Sequence, residues 1–131
     1  MSLGQAREQA AEIAERIGIV GPITVTRFFG GAGLSIDGVQ FAFVMKGSLY
    51  LRVDDASRPH FERHRSEPFR YHTGARSVTV ASYYEVPSEV IDNRDALADW
   101  ALRARDAALS GRRQRTSSST YSTNDVTKGN R

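Results

Sequence analysis

RFFGGAGLSIDGVQFAFVMKGSLYLRV, residues 27–53, carries two tight-turn signals inside one apolar run. Asp37-Gly38 is a strong two-residue hairpin signal and Lys46-Gly47 a weaker one, because glycine and short polar residues accept the positive φ of the turns that match strand twist. These turns separate residues 33–36, 41–45 and 48–53, and with residues 24–29 ahead of them they predict a four-stranded antiparallel meander. The segment Phe41-Ala42-Phe43-Val44-Met45 has no polar face and belongs inside a sheet. By contrast, Leu49, Leu51 and Val53 alternate with Ser48, Tyr50 and Arg52, as in a strand with one face open.

Working outward, Ala10, Ile13, Ala14 and Ile17 recur at the spacing of one helical face, with Gly18 expected as a left-handed C′ residue and Ile19 folding back behind it. After the meander, Ser57 is a candidate N-cap and Pro59 suits a first turn, so a short helix is expected over the sheet. Residues 69–72 and 77–84 read as two further strands joined at Thr73-Gly74. Asn93 then caps a last helix with an apolar stripe of Leu97, Trp100, Ala101, Ala104 and Ala108. The order is α-β4-α-β2-α: an α+β domain with helices packed on an antiparallel sheet of about six strands.

Several separated motifs then stand in one order: Arg27-Phe28-Phe29-Gly30-Gly31-Ala32-Gly33-Leu34, the strand LYLRVD at residues 49–54, Arg58-Pro59-x-Phe61, and SYYEVP at residues 82–87. Over residues 17–104 the chain resembles the N-terminal domain of the TfoX/Sxy family, bacterial proteins associated with regulation of DNA-transformation competence. The resemblance implies the same α+β fold and a regulatory part rather than a site of defined chemistry. Larger members of that family carry a second, helical C-terminal domain, whereas here a polar tail follows the last helix.

The formal net charge is +3, and its basic excess is concentrated in SGRRQRTSSSTYSTNDVTKGNR, residues 110–131, where five basic residues face Asp125 alone. A near-neutral domain at 1–109 and a basic, Ser/Thr-rich, disordered tail at 110–131 are therefore expected, since the tail has too few apolar residues to offset the entropy of ordering it. The chain has no cysteine, which excludes disulfides and thiolate metal sites. No signal-peptide pattern or membrane-length apolar run occurs, so the expected setting is cytoplasmic, with no membrane partner.

Candidate chemistry is sparse. Gly30-Gly31-Ala32-Gly33 lacks the following helix that a phosphate-binding loop needs, and reads instead as a tight or bulged reversal between two strands, where glycine permits positive φ and close backbone approach. His60 and His64 would share a helix face, with His72 or Glu67 to complete a metal set, but the order His60-Phe61-Glu62-Arg63-His64 displaces the glutamate from the zinc-protease position. Surface histidines are the simpler reading, and no metal, cofactor or catalytic set is assigned. Arg27, on alternation, shares a face with Ile23, Val25 and Phe29 and, if it packs against them, would need several carbonyls or a carboxylate such as Glu85, Asp54 or Asp37; the alternatives are an anchor for an acidic ligand or partner and plain exposure. Tyr84 is placed in the core with Val78 and Val80. Tyr83 is placed with Thr79, near Tyr50 and Arg52, on the sheet's second surface.

That surface, with Arg27, Tyr50, Arg52, Tyr83 and Glu85, is the candidate contact site for a protein partner or a second copy in a homodimer. The expected function is a non-catalytic regulatory, protein-interaction module, not an enzyme, with a transcriptional role through a partner. The alternative is weak, non-specific nucleic-acid binding through phosphate contacts from Arg112, Arg113 and Arg115.

Overall fold

In a computed structural model of the chain, the backbone is described for residues 3–18 and 21–118, and side chains for residues 5–18 and 21–111. The elements run α1 (Leu3–Arg16), β1 (Thr24–Phe28), β2 (Gly31–Ile36), β3 (Val39–Met45), β4 (Ser48–Arg52), α2 (Arg58–Arg63), β5 (Pro68–Thr73), β6 (Arg76–Glu85), α3 (Ser88–Ile91) and α4 (Arg94–Ser118). The six strands form one antiparallel sheet in the order β1-β2-β3-β4-β6-β5, so β6 inserts beside the meander and leaves β5 at an edge. The expected meander and second hairpin are both present, and the short α3 is an addition that its length made invisible to periodicity.

Both hairpin signals hold. Asp37 and Gly38 have φ of 51° and 75°, and Lys46 and Gly47 have 52° and 85°, the positive pairs that suit right-handed strand twist. The reversal between β1 and β2 differs from expectation. Its left-handed residue is Phe29, at φ 53°, while Gly31 and Gly33 lie in β2 itself. Those two glycines answer to crowding: a Cβ on Gly31 would collide with the carbonyl oxygen of Val44 on β3, and one on Gly33 with the Gln40 side-chain amide.

The helices cover one face of the sheet. Ala6, Ala10, Ile13 and Ile17 from the first helix and its following turn, Phe61 from α2, Val90 from α3, and Leu97, Trp100, Ala101, Ala104 and Ala108 from α4 pack on Ala32, Leu34, Ala42, Val44, Leu49, Leu51 and Tyr84. The α1 and α4 stripes are rich in alanine, which lets helix backbones approach the strands closely. A bulge adds to this core: Leu34 pairs with Ala42 and Ser35 with Gln40, so Phe41 is the extra residue of β3 and joins the covered layer although its neighbour Ala42 is there too. Phe41 is fully buried, worth about 2–3 kcal/mol of apolar transfer.

Local capping follows the sequence in part. Asn93 caps α4 through its side-chain oxygen, which accepts from the Ala96 amide at 3.0 Å. At α2 the cap lies one turn earlier than expected: Ser57 is in the helical region and makes no cap bond, and Asp54 accepts from the Ser57 amide at 2.9 Å while Ser57 Oγ accepts from the Asp54 amide at 3.0 Å. That reciprocal pair is a capping box with aspartate as the cap. Gly18 does not take the expected left-handed C′ conformation. The positive φ falls on Gly21, whose amide donates to the Gly18 carbonyl, and Ile19 lies outside the described residues.

Candidate functional site

The sheet face opposite the helices is lined with aromatic rings. Phe43, at the centre of β3, is 1% exposed although no helix covers it. The rings of Phe28, Tyr50, Phe69 and Tyr83 stand 4.8, 5.0, 5.0 and 4.9 Å from its own, in tilted, stacked and edge-on arrangements. Such pairs contribute about 0.5–1.5 kcal/mol each beyond area burial, so this layer is a second small core built from sheet residues alone.

The layer is concave. Phe69 sits on the edge strand β5, separated from β3 by β4 and β6, yet its ring reaches Phe43, because the pairing slips between Pro68 and Phe69 and bends the hairpin across the face. The result is a groove of about 460 Å³ lined by Phe28, Phe29, Phe43, Met45, Phe69, Tyr71, Val80 and Tyr83, with Phe29 82% exposed at its lip and Tyr71 44% exposed on its wall. Its size suits a small molecule or one to two large apolar side chains.

The same slip corrects one expectation. Pro68 pairs with Tyr84 but Phe69 pairs with Val80, so β6 carries extra residues between those two positions. Val78, opposite Tyr71, and Val80 therefore lie with Tyr83 on the aromatic face, and Thr79 lies on the other; strict alternation had put the valines with Tyr84. Tyr84 itself is buried as expected, and its hydroxyl donates to Glu62 on α2 at 3.0 Å. Burial and that carboxylate raise its pKa.

Four of the expected site residues come together. Tyr50 pairs with Glu85 and Arg52 with Tyr83 across β4 and β6, all on the aromatic face. Glu85 accepts from the Ser48 hydroxyl at 2.9 Å, and the Tyr83 hydroxyl donates to the Gln40 carbonyl at 3.4 Å. Burial raises the Tyr83 pKa, and burial followed by the Glu85 charge raises that of Tyr50, so both phenols stay neutral. Arg52 tucks its guanidinium against Gly111 of α4, and its Nε is buried without a partner.

Arg27 does not join them. It pairs with Ala32, which faces the helices, but at the end of β1 it runs past their cover and is exposed. The anticipated carboxylates are elsewhere: Glu85 is on the opposite face and Asp54 caps α2. Among the described residues Arg27 has no ion pair. The reading of Arg27 as packed beside Phe29 fails because Phe29 is in the turn.

His60 and His64 share a face of α2 as the spacing required, and both rings lie against Trp100, at 4.7 and 5.0 Å. Burial, then Arg103, His64 and Arg63, lowers the pKa of His60. Among the described residues no group of three or more histidine, aspartate and glutamate side chains is placed to hold a metal ion, and no helix is long and apolar enough to cross a membrane.

Helix α4 runs through Ser118, so the boundary expected after Leu109 falls inside a helix. Arg112, Arg113 and Arg115 are on its last turns; their side chains, and all of residues 119–131, lie outside the described residues. Reasoning from sequence missed Phe28, Phe43, Met45, Phe69, Tyr71 and Val80 as members of one surface. The available signal was the concentration of aromatics on β3 and β5, but the bulge that unites them has no sequence mark.

The chain matches the family model for the TfoX N-terminal domain over residues 15–108. It is also similar to protein Sxy of Escherichia coli strain K12, with 33% identity over 95 residues; the match covers 72% of this chain and 45% of that protein. The chain thus spans less than half the length of this relative.

Proposed function

This chain belongs to the TfoX N-terminal domain family, and from that premise we propose that it is a non-catalytic regulatory module that engages a protein partner through its aromatic sheet face. The family is one of competence-regulator-like proteins, regulatory rather than enzymatic, and the role proposed here is transcriptional regulation through that partner. The carrying observation is the uncovered aromatic layer with Phe29 held outward at its lip. A large aromatic in a left-handed conformation costs about 1 kcal/mol or more and exposing it forfeits most of its burial, which leaves the edge-on contact with the Phe28 ring at 4.8 Å as its visible return to the fold. Aromatic anchors beside shallow pockets are what protein interfaces use for affinity.

The test is complementation of a deletion strain with Phe29→Asp and Tyr71→Asp, both at exposed positions, with transcript profiles as the readout. The reading expects stable proteins that no longer restore the profile. Full restoration by both variants would remove the aromatic face from the function.

The placement of Arg112, Arg113 and Arg115 on one helix end supports the second reading, weak phosphate contact with nucleic acid. Anisotropy with a generic duplex decides it: binding that disappears in physiological salt or on replacing the three arginines with alanine is this weak mode. Tight binding by the variant lacking these three arginines would instead overturn the protein-partner reading.

A further inference from the structure

The β5–β6 hairpin is unlike the rest of the sheet. Its residues from Arg70 to Ser77 are exposed, so it projects past the helical layer with both faces in solvent. From Pro68 to Tyr84 it contains Arg70, His72 and Arg76 and no acidic residue. One face shows Phe69 and Tyr71 opposite Val80 and Val78; the other shows Arg70 and His72 opposite Thr79 and Ser77. Among the described residues β5 has no neighbouring strand on its outer side, which leaves a row of backbone donors and acceptors open along residues that alternate aromatic and basic.

We propose that β5 is a docking edge for an extended acidic segment of a partner protein, which adds to the sheet as a seventh strand. This names the partner chemistry of the aromatic face and rests on the protein-interaction reading above. The alternation selects the occupant. Side chains of an added strand point to both faces in turn, so one set would enter the groove beside Phe69 and Tyr71 while the other would meet Arg70 and His72. The groove lining is uncharged and takes large apolar groups; among the described residues the opposite face and Arg76 at the tip have no ion-pairing carboxylate except Glu67, which binds Arg70 at 3.0 Å from the base of the strand. A segment alternating large apolar with Asp or Glu satisfies both faces at once.

Single-stranded nucleic acid fits less well. Stacking on Tyr71 would put its phosphates on the aromatic side, where Arg76 at the tip is the hairpin's one basic residue, whereas Arg70 and His72 are on the reverse. A homodimer through the groove is also disfavoured: Phe29 and Tyr71 are the exposed large apolar residues of the described surface, too little for the roughly 800 Å² per partner of a standard interface.

The experiment is selection of a random displayed peptide library against the full chain, followed by anisotropy with the synthesised winners, and hydrogen exchange on the chain with and without them. Enriched peptides should alternate acidic and large apolar residues and slow amide exchange across residues 68–73. They should lose about tenfold or more in affinity to Arg70→Glu and to Tyr71→Ser, each at an exposed position. The proposal is overturned if no peptide is enriched, if the winners are basic, if protection falls elsewhere, or if an oligothymidine competes them off the hairpin in physiological salt. Failure here together with loss of regulation in the Phe29→Asp and Tyr71→Asp complementation would leave the aromatic face as a partner surface that is not read through strand addition.

Discussion

Replacing Gly31 with alanine tests whether the glycine-rich block exists for close strand approach. The new Cβ would lie 3.1 Å from the Val44 carbonyl carbon and 3.3 Å from Met45 Cα, and closer still to the Val44 oxygen, against the usual 3.5–4.0 Å or so for such contacts. The obstacle is backbone, so no rotamer change relieves it; β2 and β3 must separate locally. Overpacking of this kind costs about 1–3 kcal/mol, and weakening one or two ladder hydrogen bonds adds about 1 kcal/mol each. Reduced freedom of the unfolded chain returns about 0.4–1 kcal/mol. The net is a loss of about 2–4 kcal/mol, or roughly 10 °C in Tm for a domain of this size. Gly30→Ala is the internal control, since a Cβ there meets nothing within 4 Å and its φ is not positive, so it should stay within about 0.5 kcal/mol of the parent. Thermal and urea melts of the three proteins give the answer. Equal stability of Gly31→Ala and Gly30→Ala would refute the close-approach account.

Three further outcomes are expected. Phe43→Ala removes the ring on which Phe28, Tyr50, Phe69 and Tyr83 converge and should cost about 3–5 kcal/mol by urea denaturation; a loss under about 1 kcal/mol would mean the aromatic layer is no core. Tyr84→Phe leaves Glu62 without its phenolic donor and should cost about 0.5–1.5 kcal/mol; a coupling energy of zero in a double-mutant cycle with Glu62→Ala would mean that the two groups do not interact. His60 has a folded pKa below its ordinary value, so the unfolded chain binds more protons just under pH ~6.5; its contribution is complete above that pH and is lost as pH falls toward the folded value. Stability should therefore decline on acidification, with Trp100 fluorescence as the probe and a flatter profile for His60→Gln; an unchanged slope in that variant would assign the decline to other groups.

What composition and periodicity determined was local: the two turns at Asp37-Gly38 and Lys46-Gly47, the Asn93 cap, the α4 stripe and the strands of the meander. Each depends on neighbours within a few residues, where backbone sterics and side-chain period act directly. The same reasoning located Tyr50, Arg52, Tyr83 and Glu85 on one open face, because they belong to strands that alternate without interruption near their contacts. It failed for Arg27, Val78 and Val80. Arg27 sits on the face that period two assigned, yet whether it is covered depends on how the helical layer lies over β1, which alternation does not report. The valines changed face through a bulge in β6, and a bulge inserts residues that shift every later side chain to the opposite side. Only tertiary structure could join Phe28 near one edge of the sheet to Phe69 at the other, since ring contact between them through Phe43 needs strand order, register and curvature at once. The residues of the groove were legible in the sequence; their meeting was decided by the bend of the sheet.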